Sequence, residues 1–227
     1  MIATGSLATS RRERLRAARL YLALEANPPG RPAEKLLEAA LSGGVDMVQL
    51  RDKHASDSQL LRAAELFRRL CDGHGALFWL NDRPDLAEAA GADGVHVGQE
   101  DMPVAEVRRL VGPDVLVGLS THSPEQLAAA LGSEADEISV GPVYATPTKE
   151  GRPAAGLDYV RHAAHVADPG RPWFAIGGID QGNVQEVVAA GAGRIVVVRA
   201  IRDARDPRAG AAALRAALEG RPVGAAG

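Results

Sequence analysis

Eight short aliphatic runs, spread along almost the whole chain, restrict most strongly what this sequence can fold into. They are Leu20–Leu24, Met47–Leu50, Leu77–Leu80, Val95–Val97, Leu116–Leu119, Ile138–Val143, Phe174–Ile176 and Ile195–Val198. Each is brief and rich in Val, Ile or Leu, the pattern of a strand covered on both faces. Between them lie Ala-, Leu-, Glu- and Arg-rich segments with helical spacing. Ser56 to Cys71 is the clearest: Leu60, Leu61, Ala64, Leu66, Phe67 and Leu70 share one face, and Ser56 stands where an N-cap belongs. Gly43-Gly44, Gly91, Gly112, Gly132 and Gly191 fall just past helical patterns, where a left-handed cap favours glycine. Pro84, Pro103 and Pro124 fall where helices would begin. Strand then helix, eight times over 227 residues, predicts one α/β domain, a (β/α)8 TIM barrel. Eight units with no second domain argue against a doubly wound open sheet. The barrel is expected over residues 19–220, with a flexible N-terminal extension over 1–18 and a loose C-terminal tail over 221–227.

Composition narrows the class of function. Aromatic residues make up only 4% of the chain, so the core is expected to be aliphatic. The net charge of −3 leaves no basic surplus for a nucleic-acid groove. No run approaches the ~18 apolar residues of a membrane helix. Arg11, Arg12 and Arg14 are followed by a segment that Arg16 and Arg19 interrupt, unlike a secretory signal. The single cysteine, Cys71, forbids an internal disulfide and fits a reducing compartment. These features predict a cytoplasmic protein acting on small molecules, with neither nucleic acid nor membrane as partner; a homo-oligomer is left open. Arginine has replaced lysine almost everywhere: Lys35, Lys53 and Lys149 are the three lysines among 26 basic residues. Asparagine is as scarce, at Asn27, Asn81 and Asn183. An ammonium is a compact point charge and a guanidinium a planar fork, so a surviving lysine can mark a position that needs the former.

In such a barrel the chemistry lies at the C-terminal ends of the strands, and the unusual polar residues of this chain cluster there. The second strand ends in Gln49-Leu50-Arg51-Asp52-Lys53, the third in Asn81-Asp82-Arg83 and the fourth in Gly98-Gln99-Glu100-Asp101. The fifth ends in Ser120-Thr121-His122, and the sixth runs from Gly141 through Thr146-Pro147-Thr148 to Lys149. The seventh ends in Gly177-Gly178 and the eighth in Val198-Arg199. Taken singly, Asp82 and Asp101 could be helix caps, Arg51 and Lys53 solvated charges, and Thr146 to Thr148 an ordinary turn. Together they would be seven coincidences at one rim. His96 reads as a core histidine and Cys71 as packing. His54, His74, His162 and His165 show no zinc spacing.

Two carboxylates without a His or Cys cluster suit Mg2+, a hard cation that keeps waters and binds substrate phosphates. Arg51, Lys53 and Lys149 would neutralise a polyanion. Gly178 and the amides near Val198 match the phosphate site often built after strands seven and eight. The set implies a diphosphate held with a metal and a monophosphate held by backbone amides, with a heterocycle between. No Walker loop is present, which disfavours phosphoryl transfer from ATP.

Val48 to Lys53, Asn81-Asp82-Arg83, Gly94 to Asp101, Gly141 to Lys149 and Ile176 to Ile179 closely resemble the thiamine-phosphate synthase family, over about Leu20 to Ile201. The resemblance implies a transferase of thiamine biosynthesis. It would join 4-amino-2-methyl-5-(diphosphooxymethyl)pyrimidine to 4-methyl-5-(2-phosphoethyl)thiazole, or to its carboxylated tautomer, releasing diphosphate. On this resemblance Gln49, Leu50, Arg51, Asp52, Lys53, Asn81, Ser120 and Lys149 hold the pyrimidine diphosphate, with Lys149, Arg51 and Ser120 carrying catalysis. Asp82 and Asp101 hold Mg2+. Thr146, Pro147, Thr148, Gly178, Val198 and Arg199 hold the thiazole phosphate. Arg199 departs from the serine usual there, and its side chain either reaches that phosphate or pairs with an acid such as Asp203. Asp52 stands where glutamate is common, and His54 where an acid is frequent. Two other readings remain: a thiazole tautomerase of the same barrel family, with His122 as acid–base residue, and a phosphate-binding barrel without catalysis.

Overall fold

The computed structural model describes residues 4–146, 153–166, 168 and 170–220. All eight aliphatic runs form strands: β1 (Leu20–Leu24), β2 (Met47–Leu50), β3 (Leu77–Asn81), β4 (Gly94–Val97), β5 (Leu116–Thr121), β6 (Glu137–Val140), β7 (Trp173–Ile176) and β8 (Ile195–Val197). They lie parallel and in sequence order, and β8 closes onto β1 through the pairs Leu20–Ile195 and Leu22–Val197. The sixth strand begins one residue earlier than its aliphatic run, on an acid, and stops before Pro142, which has no N–H for a ladder.

The helices are α1 (Thr4–Ala17), α2 (Ala33–Ser42), α3 (Asp57–His74), α4 (Val104–Val111), α5 (Pro124–Leu131), α6 (Gly156–Val166), α7 (Val184–Ala189), α8 (Arg199–Arg202) and α9 (Pro207–Glu219). Ser56 caps α3 as expected: its hydroxyl accepts from the Gln59 N–H, and the Gln59 side chain accepts from the Ser56 N–H at 2.8 Å. Pro84 opens only a 3-10 turn, Pro84–Leu86, where a full helix was expected. Gly43 and Gly132 follow helices with negative φ, whereas Gly44, Gly91, Gly112 and Gly191 take the left-handed conformation.

Within the extension expected over 1–18, Thr4–Ala17 form the helix α1. This helix seats across the N-terminal end of the barrel. Arg11 donates to Asp93 at 2.9 Å, Arg12 to Asp136 at 3.0 Å and Arg14 to the Ala76 carbonyl at 2.7 Å, each acceptor lying just before a strand. These arginines are the docking groups of the helix. Leu15, 1% exposed, drops into a floor layer with Tyr21, Met47, Trp79, Leu116 and Phe174. The layer between strands and helices is mostly aliphatic, with Phe67 and Phe78 in contact within it at 5.9 Å between centroids, and the floor collects Tyr21, Trp79 and Phe174. Tyr21 meets Phe174 edge-on at 5.7 Å between centroids and lies 6.1 Å from Trp79. The barrel is thus closed at one end, and the polar residues are left to the other. Residues 1–3 and the expected loose tail, 221–227, lie outside the described residues.

Candidate active site

The open end holds a cavity of about 670 Å³, within the range typical of small-molecule sites. Gln49 and Arg51 reach it from β2, Asn81 from β3, Ser120 from β5, Thr146 from the loop after β6, Gly178 from the loop after β7, and Val198 and Arg199 from the end of β8. One cavity thus collects eight of the residues singled out in the sequence. Strand alternation accounts for the arrangement on β2: Gln49 faces inward, where its amide donates to the Tyr21 hydroxyl at 2.7 Å. Leu50 faces the other way and is fully buried against the helices. Its side chain is turned away from the cavity, which leaves its backbone as the part that can face a ligand. Asp52 lies just beyond, its carboxylate accepting from the His54 N–H at 3.1 Å. Pro147, Thr148 and Lys149 lie outside the described residues.

Lys53, Asp82 and Asp101 gather beside the cavity. The Lys53 ammonium is 3.3 Å from Asp82 Oδ2. Burial, and then the charge of Asp101, push the Asp82 carboxyl above the usual carboxylate range, with Lys53 opposing them. Asp82 also has φ 59, a left-handed conformation rare outside glycine and costly unless the surroundings require it. Asp101 accepts from the Gly98 N–H at 2.7 Å. Neither acid is a helix cap: Pro103 precedes α4 and Arg83 precedes the 3-10 turn, both without a side-chain cap bond. Among the described residues no cluster of three or more His, Cys, Asp or Glu could hold a metal. Two acids alone fit Mg2+, which completes its shell with waters and substrate phosphates, and poorly fit a metal needing a full protein cage. Arg83 turns away, paired with Asp85 at 2.7 Å and Asp57 at 2.5 Å.

On the far side of the cavity the chain after β7 passes through Gly177 and Gly178, at φ 107 and 66. A Cβ at Gly178 would lie 2.7 Å from Tyr144 Cβ, so glycine is required by packing as well as by conformation. Asn183 pins this loop, donating to the Gly178 carbonyl at 2.8 Å. Residues 176–182 and 196–200 line the cavity together. Asp203 is bound by Arg202, at 2.7 Å and 3.0 Å, rather than by Arg199. The Arg202 hydrogen bonds, and then the charges of Arg202, Arg199 and Arg31, hold the Asp203 carboxyl below its ordinary range.

Sequence reasoning missed the polar interior of the barrel. His96 is buried, as a core histidine should be, yet it also lines the cavity and bonds to Ser120 and Glu137. Glu137 passed unnoticed because the aliphatic run was read from Ile138. The available signal was alternation: Glu137 and Ser139 are spaced by two, so they share the inward face of β6. His122 lines the cavity with Nδ1 held 2.6 Å from the Gly141 carbonyl.

A parallel eight-stranded barrel, closed at its floor and carrying cations, paired acids and a glycine-built loop around one cavity, belongs to the class of (β/α)8 barrels suited to phosphorylated small molecules. The comparisons specify it further. Residues 20–201 match the thiamine monophosphate synthase family model. The chain is 52% identical over 208 residues to the thiamine-phosphate synthase of Thermobifida fusca strain YX, covering 91% of this chain and 95% of that protein. It is 50% identical over 215 residues to the thiamine-phosphate synthase of Mycobacterium tuberculosis strain H37Ra, covering 90% and 96%. Among solved structures, thiamine phosphate pyrophosphorylase from Pyrococcus furiosus superposes with a TM-score of 0.81 at 31% identity, covering 92% of this chain and 98% of that one. A 3-hexulose-6-phosphate synthase, at 21% identity and TM-score 0.60, shares the fold alone. The chain belongs to the thiamine monophosphate synthase family.

Proposed function

We propose that this barrel makes thiamine phosphate, joining the aminopyrimidine diphosphate to the thiazole phosphate with release of diphosphate. The observation that carries the reading is the two-sided cavity. Cations and paired acids stand at the β2–β4 side, and glycine-rich backbone stands at the β7–β8 side, with space for two rings between. Thiamine-phosphate synthases at about half identity over nearly the whole chain support it.

In this reading Gln49, Arg51, Asp52, Lys53, Asn81 and Lys149 bind the diphosphate half, and Leu50 contributes through its backbone. Thr146, Pro147, Thr148, Gly178, Val198 and Arg199 bind the thiazole phosphate. Ser120 faces the pyrimidine. Breaking the methylene–oxygen bond leaves negative charge on the departing diphosphate and positive charge on the pyrimidine. Arg51 and Lys149 oppose the first charge, the kind of electrostatic stabilisation that contributes most to many enzymes. The thiazole nitrogen, held close by its own phosphate, then attacks the methylene carbon. No protein nucleophile is needed. Asp82 and Asp101 would hold Mg2+, which supplies further positive charge toward the leaving group when bound. A cytoplasmic, reducing setting belongs to this reading and fits the free, buried thiol of Cys71.

The test is direct: incubation with Mg2+ and both phosphorylated halves should yield thiamine phosphate and diphosphate in equal amounts. Release of neither would overturn the reading, and isomerisation of the thiazole alone would favour the tautomerase.

A further inference from the structure

From the cavity wall inward, three buried side chains form one hydrogen-bonded line. His96 Nε2 lies 2.8 Å from Ser120 Oγ, and His96 Nδ1 lies 3.0 Å from Glu137 Oε2. Glu137 is 0% exposed, and its other oxygen accepts from the Ser139 hydroxyl at 2.7 Å. Space for the line is kept open by glycine: a Cβ at Gly118 would lie 2.5 Å from His96 Nδ1. The mechanism above uses neither His96 nor Glu137, and burial of an acid with two hydrogen-bond partners is costly to maintain without a role.

We propose that Glu137 and His96 are positioning residues that fix the polarity of the Ser120 hydroxyl, so that it turns an oxygen lone pair, and not its hydrogen, toward the cavity. A carboxylate is an acceptor only, so Glu137 selects the His96 ring with hydrogen on Nδ1. In the neutral ring, the form this proposal assigns to His96, Nε2 then carries a lone pair, which accepts the Ser120 hydrogen. The hydroxyl has no second hydrogen, so its remaining capacity toward the cavity is as an acceptor. Such a group selects a ligand that presents an N–H donor. Given the functional reading above, on which this step rests, that donor is the exocyclic amino group of the pyrimidine. As diphosphate leaves, positive charge spreads onto that nitrogen and its N–H becomes a stronger donor. The bond is thus tighter in the transition state than in the bound substrate, and its loss falls on kcat more than on KM.

Glu137→Gln keeps size and shape but places an amide donor against Nδ1. That reverses the ring and points the Ser120 hydrogen into the cavity, the same tautomer logic seen when a buried triad acid is replaced by its amide. Expected is a fall in kcat of about ten- to hundredfold, with KM for the pyrimidine diphosphate changed by no more than about threefold. In a Ser120→Ala background the Glu137→Gln change should cost nothing further, because both act through one hydroxyl. Multiplying effects in the double variant would make Glu137 merely structural and overturn the proposal. A second measurement needs no substrate and no variant at position 137: 15N-edited spectra of the native imidazoles, with His96 identified by its loss in His96→Gln. Hydrogen on Nδ1 and a lone pair at Nε2 are expected; hydrogen on Nε2 overturns the proposal. If the native protein failed to make thiamine phosphate, the functional reading would fall while these spectra still decided the polarity of Ser120.

Discussion

Asp82 combines two unfavourable features, a left-handed backbone and a carboxyl whose ionisation burial and Asp101 both oppose. A divalent cation would relieve the second, so Mg2+ should stabilise the substrate-free protein by binding the native state alone. Asp101→Asn removes half of that charge. Its melting temperature should no longer rise with Mg2+, and turnover should fall roughly a hundredfold or more; an unchanged response to Mg2+ in the variant would remove Asp101 from the metal site. Arg199 gives a second prediction at this scale. With Asp203 already held by Arg202, the Arg199 guanidinium at the cavity edge is available to an anion. Hydrogen bonds to charged groups contribute roughly 1.5–3 kcal/mol, and about 1.4 kcal/mol is tenfold. Arg199→Ser should therefore raise KM for the thiazole phosphate about ten- to hundredfold and leave KM for the pyrimidine diphosphate unchanged. Steady-state kinetics on both substrates decide it, and an unchanged thiazole KM would leave only a backbone role at this position. Residues of this kind were legible in the sequence because they break an aliphatic pattern at its end. Glu137 and His96 were not, since a single inward polar residue within a strand looks like noise until its cross-barrel partners are placed.

At the scale of elements, the strands were legible because parallel strands buried on both faces must be continuously apolar, and little else in a chain is. The helix α1 was not, because its docking rests on ion pairs with residues far along the chain, and local pattern carries no trace of them. Its one deep apolar anchor is Leu15. Truncating a buried leucine costs roughly 2–5 kcal/mol, and about 2–4 °C of melting temperature follows each kcal/mol in a chain of this size. Leu15→Ala should lower the melting temperature by about 4–20 °C while leaving KM for both substrates unchanged, since α1 and the cavity lie at opposite ends. A thermal melt with parallel kinetics checks both halves; loss of substrate affinity without loss of stability would mean that the floor shapes the site.

The whole molecule is defined by a barrel sealed at one end and chemically active at the other. Its buried protons set its response to alkali. Burial pushes the Cys71 thiol from 9.0 up to about 12, and the Tyr159 hydroxyl from 10.0 up to about 12. The unfolded chain then loses these protons at lower pH than the native one, so stability is intact below about pH 9 and falls as pH rises toward 12. Urea midpoints across that range should decline in the native protein and decline less in Cys71→Ala; identical slopes would exclude the thiol as a source. The docking of α1 has a further consequence, for the order in which the chain becomes structured during synthesis. Arg11 must wait for Asp93, 82 residues later, and Arg12 for Asp136, 124 residues later. Neither acceptor is positioned until the strands beside it have paired, and each closure spans a long loop whose entropy opposes early contact. Helix α1 is thus expected to be among the last elements to find its seat, after a stage in which the aromatic floor stands open to the solvent and to chaperones.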